Sequence, residues 1–139
     1  ETMRSMGMEV EIQAMDWSTL TSRRAKKDPV ENGGWNVFHT WWIGGDLVNP
    51  IAAVGLSGGG TEKAWFGWPT DAKMEELRDK FAFTSDPAAQ KDLAKQIQKR
   101  AIEIGTHANV GTFFVPCGYR ENVKGMIKSP VQFFWNMSV

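Results

Sequence analysis

The sequence predicts an α/β chain. Three observations lead there: residues 8–14 alternate strictly between apolar and polar, residues 35–43 are apolar on both alternations, and two later segments repeat apolar residues at helical spacing. The elements follow from these patterns in chain order.

The opening Glu1-Thr2-Met3-Arg4-Ser5-Met6-Gly7 reads as the last turn of a helix closed by Gly7, which predicts that the chain begins inside an element of a longer protein. In residues 8–14, Met8, Val10, Ile12 and Ala14 share one face and Glu9, Glu11 and Gln13 the other, the period of a strand with one wet face. Asp16 is a helix cap, and the helix is expected to run to about Lys26 with Trp17 and Leu20 turned inward. Pro29 and Gly33, in the polar stretch that follows, break it. The run Trp35-Asn36-Val37-Phe38-His39-Thr40-Trp41-Trp42-Ile43 is rich in aromatic and β-branched residues and predicts a buried central strand ending at Gly44-Gly45.

Between Asp46 and Pro69 lie Gly55, Gly58, Gly59, Gly60 and Gly67, flanked by aromatic clusters, a density that predicts loop and short helix. Thr70 is expected to cap a helix carrying Met74, Leu77 and Phe81 on one stripe. Asp86-Pro87 starts a second with Leu93, Ile97, Ala101 and Ile104, closed by Gly105. Strand-like runs return at 110–115 and 131–135, separated by the basic, turn-rich residues 117–130. No internal repeat is present.

Composition removes several classes of function. A length of 139 residues, 42% hydrophobic and 23% charged, fits one globular domain. Sixteen basic and sixteen acidic residues leave no net field to attract nucleic acid or an anionic membrane. No run approaches the ~18 apolar residues of a membrane span, and Glu1 to Arg4 is no secretory signal, so any export signal lies upstream. The single Cys117 excludes an internal disulfide and a multi-cysteine metal site. His39 and His107 are far apart and lack ligand spacing, so neither metal nor cofactor is expected; His39 reads as a core residue and His107 as an exposed one.

Gly55-Leu56-Ser57-Gly58-Gly59 matches the nucleophile elbow of α/β hydrolases, with Asp71 and His107 following in the required order. An elbow needs a helix directly after its serine, and Gly58-Gly59-Gly60 is among the poorest helix starts available. A glycine-rich loop is the better reading. The seven tryptophans concentrate at Trp41-Trp42 and Trp65-Phe66-Gly67-Trp68, where they can pack a core or wall a ligand site. Asp46 stands directly after the predicted central strand, where open α/β sheets present ligands, although a lone acid there also fits a helix cap.

At Asp46-Leu47-Val48-Asn49-Pro50 the chain resembles the Asp-Tyr-x-x-Pro segment of the dipeptide, oligopeptide and nickel class of ABC-transporter solute-binding proteins, bacterial solute-binding protein family 5. Gly7-Met8-Glu9-Val10-Glu11 resembles that family's Gly-Ile-x-Val-Glu strand. Trp68-Pro69-Thr70-Asp71 resembles its Asn-Pro-x-x-Asp helix start, and residues 86–98 its Asp-x-x-x-Arg-x-x-Leu-x-x-x-Gln helix. Tyr119 to Gly125 is similar to its Tyr-Arg-x-x-Leu-x-Gly, and Phe134-Trp135-Asn136 to its closing Phe-Trp-Asn. Six weak motifs stand in family order across nearly the whole chain.

The resemblance implies a periplasmic binding protein-like fold of two lobes. Residues 1–105 would form the later part of lobe two and residues 106–139 the return toward lobe one. It further implies an extracytoplasmic, non-enzymatic binder of a peptide or other amine-bearing solute. Its partners would be an ABC-transporter permease and the N-terminal part of the same protein. In peptide binders the acid matching Asp46 pairs with the ligand's α-amino group, and Trp41, Trp42, Trp65 and Trp68 are the expected apolar walls. Leu47 and the glycines before Asp46 depart from the peptide-binding pattern and point to a differently shaped pocket, and Cys117 replaces a small residue. Two rival readings come from other classes: a serine hydrolase using Ser57 and His107, and a tryptophan-faced carbohydrate-binding module.

Overall fold

In the computed structural model, which describes residues 1–139, the chain forms two units, Glu1–Thr40 and Trp41–Val139, and the division falls inside the aromatic run 35–43. In the first unit, a single helical turn α1 (Thr2–Ser5) ends before Gly7, whose φ of 86° is the left-handed conformation that glycine adopts without penalty. Helix α2 (Trp17–Arg24) begins where the sequence places its cap: the Thr19 amide and hydroxyl both donate to the Asp16 carboxylate, at 3.0 and 2.6 Å. The helix stops at Arg24, short of Lys26, because Arg23 turns back to bind the loop beyond. Its guanidinium donates to the carbonyls of Gly33 and Gly34 and to the side chain of Gln13.

Gly34 is buried there, and no side chain fits at this position, since a Cβ would lie 1.8 Å from the carbonyl oxygen of Asp28. Trp35 joins the same corner, donating from Nε1 to the Arg24 carbonyl at 3.1 Å and meeting Phe38 edge-on. Trp17 does not turn inward as expected. It is 51% exposed and carries the Arg24 guanidinium over its ring at 5.4 Å, since this unit buries no large apolar side chain against which it could pack.

The second unit is organised by helices α3 (Gly60–Lys63), α4 (Ala72–Phe83) and α5 (Pro87–Ile104). Asp71, one residue beyond the predicted Thr70, caps α4 by accepting from the Met74 amide at 2.7 Å. Asp86 caps α5 through the Ala89 amide, also at 2.7 Å, with Pro87 in the first turn. Gly105, at φ 62°, closes α5 and donates to the Ala101 carbonyl at 3.0 Å. Residues 84–86 fold α5 back on α4. The predicted stripes then meet: Met74, Leu77 and Ile97 are buried, and Phe81, Leu93, Ala101, Ile104 and Leu56 pack around them. Each fully buried side chain of this size contributes about 1.5–3 kcal/mol.

The helical half of the α/β expectation is present, but none of the four predicted strands forms a ladder. Residues 8–14, 35–43, 110–115 and 131–135 lack strand pairing, and β contacts are limited to isolated antiparallel bridges between Gly59 and Thr70 and between Lys124 and Ser138. A strand completes its hydrogen bonds only on another strand. The apolar residues of these runs lie open accordingly: Ile12 is 73% exposed, Val37 62% and Phe114 95%. His39 is exposed too, a correction to its predicted core position.

Candidate functional site

The loop between Pro50 and Asp71 is tied to the helical hairpin at three points. Arg78 holds its start, donating from Nε to the Pro50 carbonyl at 3.3 Å and from Nη2 to the Ile51 carbonyl at 3.2 Å. Glu75 holds its middle: Oε1 accepts from the Gly58 amide at 2.8 Å and from Arg78 Nη1 at 2.9 Å. At its end the Asp71 amide donates to the Gly58 carbonyl and the Gly60 amide to that of Pro69, both at 2.9 Å, while Arg100 forks onto the Asp71 carboxylate. Gly58 is needed for this approach, since a Cβ would stand 2.6 Å from the Asp71 carbonyl oxygen.

These contacts fix the charge of both carboxylates. Arg100 is the main cause that holds Asp71 below the usual carboxylate range. Burial alone would raise Glu75, but the Gly58 amide and Arg78 outweigh it and bring Glu75 below that range as well. A folded-state pKa below the unfolded one stabilises the fold above the unfolded value, and the contribution disappears as pH falls through the folded value. The loop is therefore expected to keep its anchors at and above the ordinary carboxylate range and to lose them progressively only as the pH falls below it. Near-UV circular dichroism of the tryptophans should fall as the pH drops below the ordinary carboxylate range, and a loss that occurs already at or above that range would refute the assignment.

The anchored loop carries most of the aromatic side chains singled out in the sequence. Trp42 lies against Trp65 with ring centroids 4.8 Å apart and a tilt of 50°; Trp65 meets Phe66 at 5.1 Å, and Phe66 meets Trp68 edge-on at 6.5 Å. All four are half-buried, so the cluster keeps part of its surface open to solvent. His107, which the sequence offered as an exposed turn residue or as the histidine of a hydrolase, extends it by an edge-on contact with Trp42 at 6.2 Å. Gly55 forms its floor, where a Cβ would come within 3.3 Å of the Trp42 ring. Trp41 is not part of this wall: it is 55% exposed and meets Phe113 at 6.4 Å.

The turn that presents Trp68 is strained. The Trp68 amide donates to the Trp65 carbonyl at 2.8 Å across Gly67, at φ 97°, and Trp68 itself has φ 48°, the one non-glycine residue of the chain with a positive value. Asp46 sits in a 3₁₀ turn, Gly44–Leu47, with its carboxylate exposed and free of protein partners. It makes no capping hydrogen bond to a helix.

The hydrolase constellation is not assembled. Ser57 is buried, its hydroxyl donating to the Lys63 carbonyl at 3.3 Å and accepting from the Gly59 amide at 3.4 Å. Asp71 is occupied by the α4 cap and Arg100, and His107 Nδ1 bonds to the Thr106 hydroxyl at 2.9 Å. Ser57 therefore meets neither His107 nor Asp71, and the carboxylate beside it is Glu75, which is tied to the Gly58 amide and Arg78.

The chain thus presents a partly open aromatic cluster and, separately, an exposed carboxylate at Asp46. Over 135 residues, 97% of its length, the chain is 34% identical to a probable peptide ABC transporter periplasmic-binding protein of Sinorhizobium fredii (strain NBRC 101917 / NGR234), and it spans 25% of that protein. The similarity is to a solute-binding protein of ABC import, neither a hydrolase nor a carbohydrate-binding module. No family model matches the chain. None of its helices is long and apolar enough to cross a membrane.

Proposed function

We propose that the chain is part of the extracytoplasmic solute-binding component of an ABC import system, of the dipeptide, oligopeptide and nickel class, and that its solute is a peptide or another amine-bearing small molecule. The observation that carries this reading is the 34% identity running through 97% of the chain. In this role Asp46 supplies the counter-charge for a desolvated ammonium, which needs a carboxylate to offset its lost hydration. Trp42, Trp65 and Trp68 supply flat apolar surface at small entropic cost, and Trp41, on another side of the segment, reaches the solute when the two lobes close.

The partners are the solute, a membrane permease and the remaining part of the same protein. That part would cover Phe113, Phe114, Val115, Phe134 and Trp135, which are 62–95% exposed. Residues 1–105 belong to lobe two and residues 106–139 return toward lobe one. A cleft between closing lobes takes contacts from both, so this chain alone is a weak binder.

Native mass spectrometry of the full-length protein purified without refolding tests the reading. A retained small molecule with a basic nitrogen is the expected result. Calorimetry on the 139-residue chain should show no binding of a tripeptide tighter than about 100 μM, since roughly half of the contacts behind a micromolar affinity are missing. A retained solute without any amine, or micromolar binding by this chain alone, would overturn it.

A further inference from the structure

We infer that Glu75 and Arg78, on helix α4, are positioning residues that set the relative placement of Trp42 and Trp65. The Trp42 ring rests on Gly55, and Trp65 lies in the segment closed by the Gly60–Pro69 hydrogen bond. These two supports are opposite sides of one loop. Arg78 fixes the first side at Pro50 and Ile51, Glu75 fixes the crossing point at Gly58, and the two residues are joined to each other through Glu75 Oε1. The Arg78 side chain is only 13% exposed and that of Glu75 33%, so the bonds to Gly58 and Pro50 and the one between the pair are partly shielded from competing water, while the bond to Ile51 is exposed.

The glycines make the rest of the loop compliant. Gly55, Gly58, Gly59 and Gly60 permit close backbone approach but supply no side chain to hold it, and Trp68 occupies a left-handed conformation that persists only where its surroundings over-determine it. The helix side chains provide that determination. Arg78 is suited to it because one rigid fork reaches a carboxylate and two carbonyls together, which a lysine cannot do. The bearing of this pair on binding rests on the solute-binding reading above. The geometry itself is read without any solute.

Two indoles in contact couple excitonically and give a far-ultraviolet circular dichroism couplet whose amplitude depends on their distance and tilt, here 4.8 Å and 50°. Trp42→Phe in this chain measures the part of the signal that belongs to the pair. Glu75→Ala is expected to remove most of that part while the helical ellipticity of α4 and α5 persists, and to speed exchange of the Gly58 amide about tenfold or more. Arg78→Lys keeps a charge opposite Glu75 but loses the fork, and is expected to give a partial loss. Glu76→Ala is the control: Glu76 pairs with Lys73 and Lys80 on the solvent side of the same helix, which holds it down to about 2, and touches no part of the loop.

An unchanged couplet in both Glu75→Ala and Arg78→Lys overturns the inference. So does a couplet that disappears only in step with helical ellipticity, which would mark a purely structural pair, or one lost equally in Glu76→Ala. None of these outcomes bears on whether a solute is bound.

Discussion

Ile97→Ala is expected to lower the folding stability of the helical hairpin by about 2–5 kcal/mol, the range for removing a large aliphatic side chain from a packed site. Ile97 and Met74 have no exposed surface and Leu77 only 4%, so these three carry the contact between α4 and α5. A hairpin has little other core to collapse into the cavity, and domains of this size hold only about 5–15 kcal/mol in total. Ile102, on the same helix but 83% exposed, is the matched comparison: Ile102→Ala should change stability by no more than about 0.5 kcal/mol. Urea titration of both variants decides the matter, with a shifted midpoint and an unchanged slope expected for Ile97→Ala. Equal effects at the two positions would mean that the hairpin interface is not where the stability of this unit resides.

The contrast between Ile97 and Ile102 was legible in the sequence because a helix closes its hydrogen bonds within itself and exposes its packing face as a 3.6-residue period. The same holds for the caps, where Asp16 and Asp86 act on amides three residues ahead. Strands differ. The alternation over residues 8–14 is as regular as any helical stripe, yet it states only which face would be buried if a neighbour arrived, and that neighbour cannot be read from the segment. The run at 35–43 makes the point more strongly: apolar on both faces, it needs cover on both, and Val37 and Trp41 remain more than half exposed.

For the candidate site, composition marked out the tryptophans, and Asp46 stood out by its place after the predicted strand and by the family resemblance, but the grouping of the aromatic residues depends on contacts far apart in sequence. The separation of Trp41 from Trp42 could have been anticipated, since neighbouring residues in an extended segment point to opposite sides; one meets Phe113, the other Trp65. No local signal connects His107 or Gly55 to Trp42. Glu75 and Arg78 read as an ordinary surface pair three residues apart on a helix, and only the folded loop shows that their other hydrogen bonds reach Gly58, Pro50 and Ile51. The glycine run that imitated a nucleophile elbow has its own explanation there, because Gly58 passes too close to Asp71 to carry a side chain.

In the full-length protein, Asp46→Asn is expected to weaken binding of an amine-bearing solute by roughly thirty-fold or more, because removing one partner of a buried, hydrogen-bonded ion pair costs about 2–5 kcal/mol. Asparagine keeps the shape and removes the charge, so the loss reports the ammonium left without a counter-ion. The free protein should melt at an unchanged temperature, since the Asp46 carboxylate is exposed, accepts no hydrogen bond and caps no helix. Asp46→Ala separates the two roles further. A cap would lose about 0.5–2 kcal/mol of folding stability on this change with affinity nearly intact, whereas a binding carboxylate loses affinity with stability intact. Thermal melts and solute titrations on both variants, beside wild type, therefore give opposite patterns for the two cases. Unchanged affinity in both would exclude Asp46 from the site and with it the case for an amine on the solute.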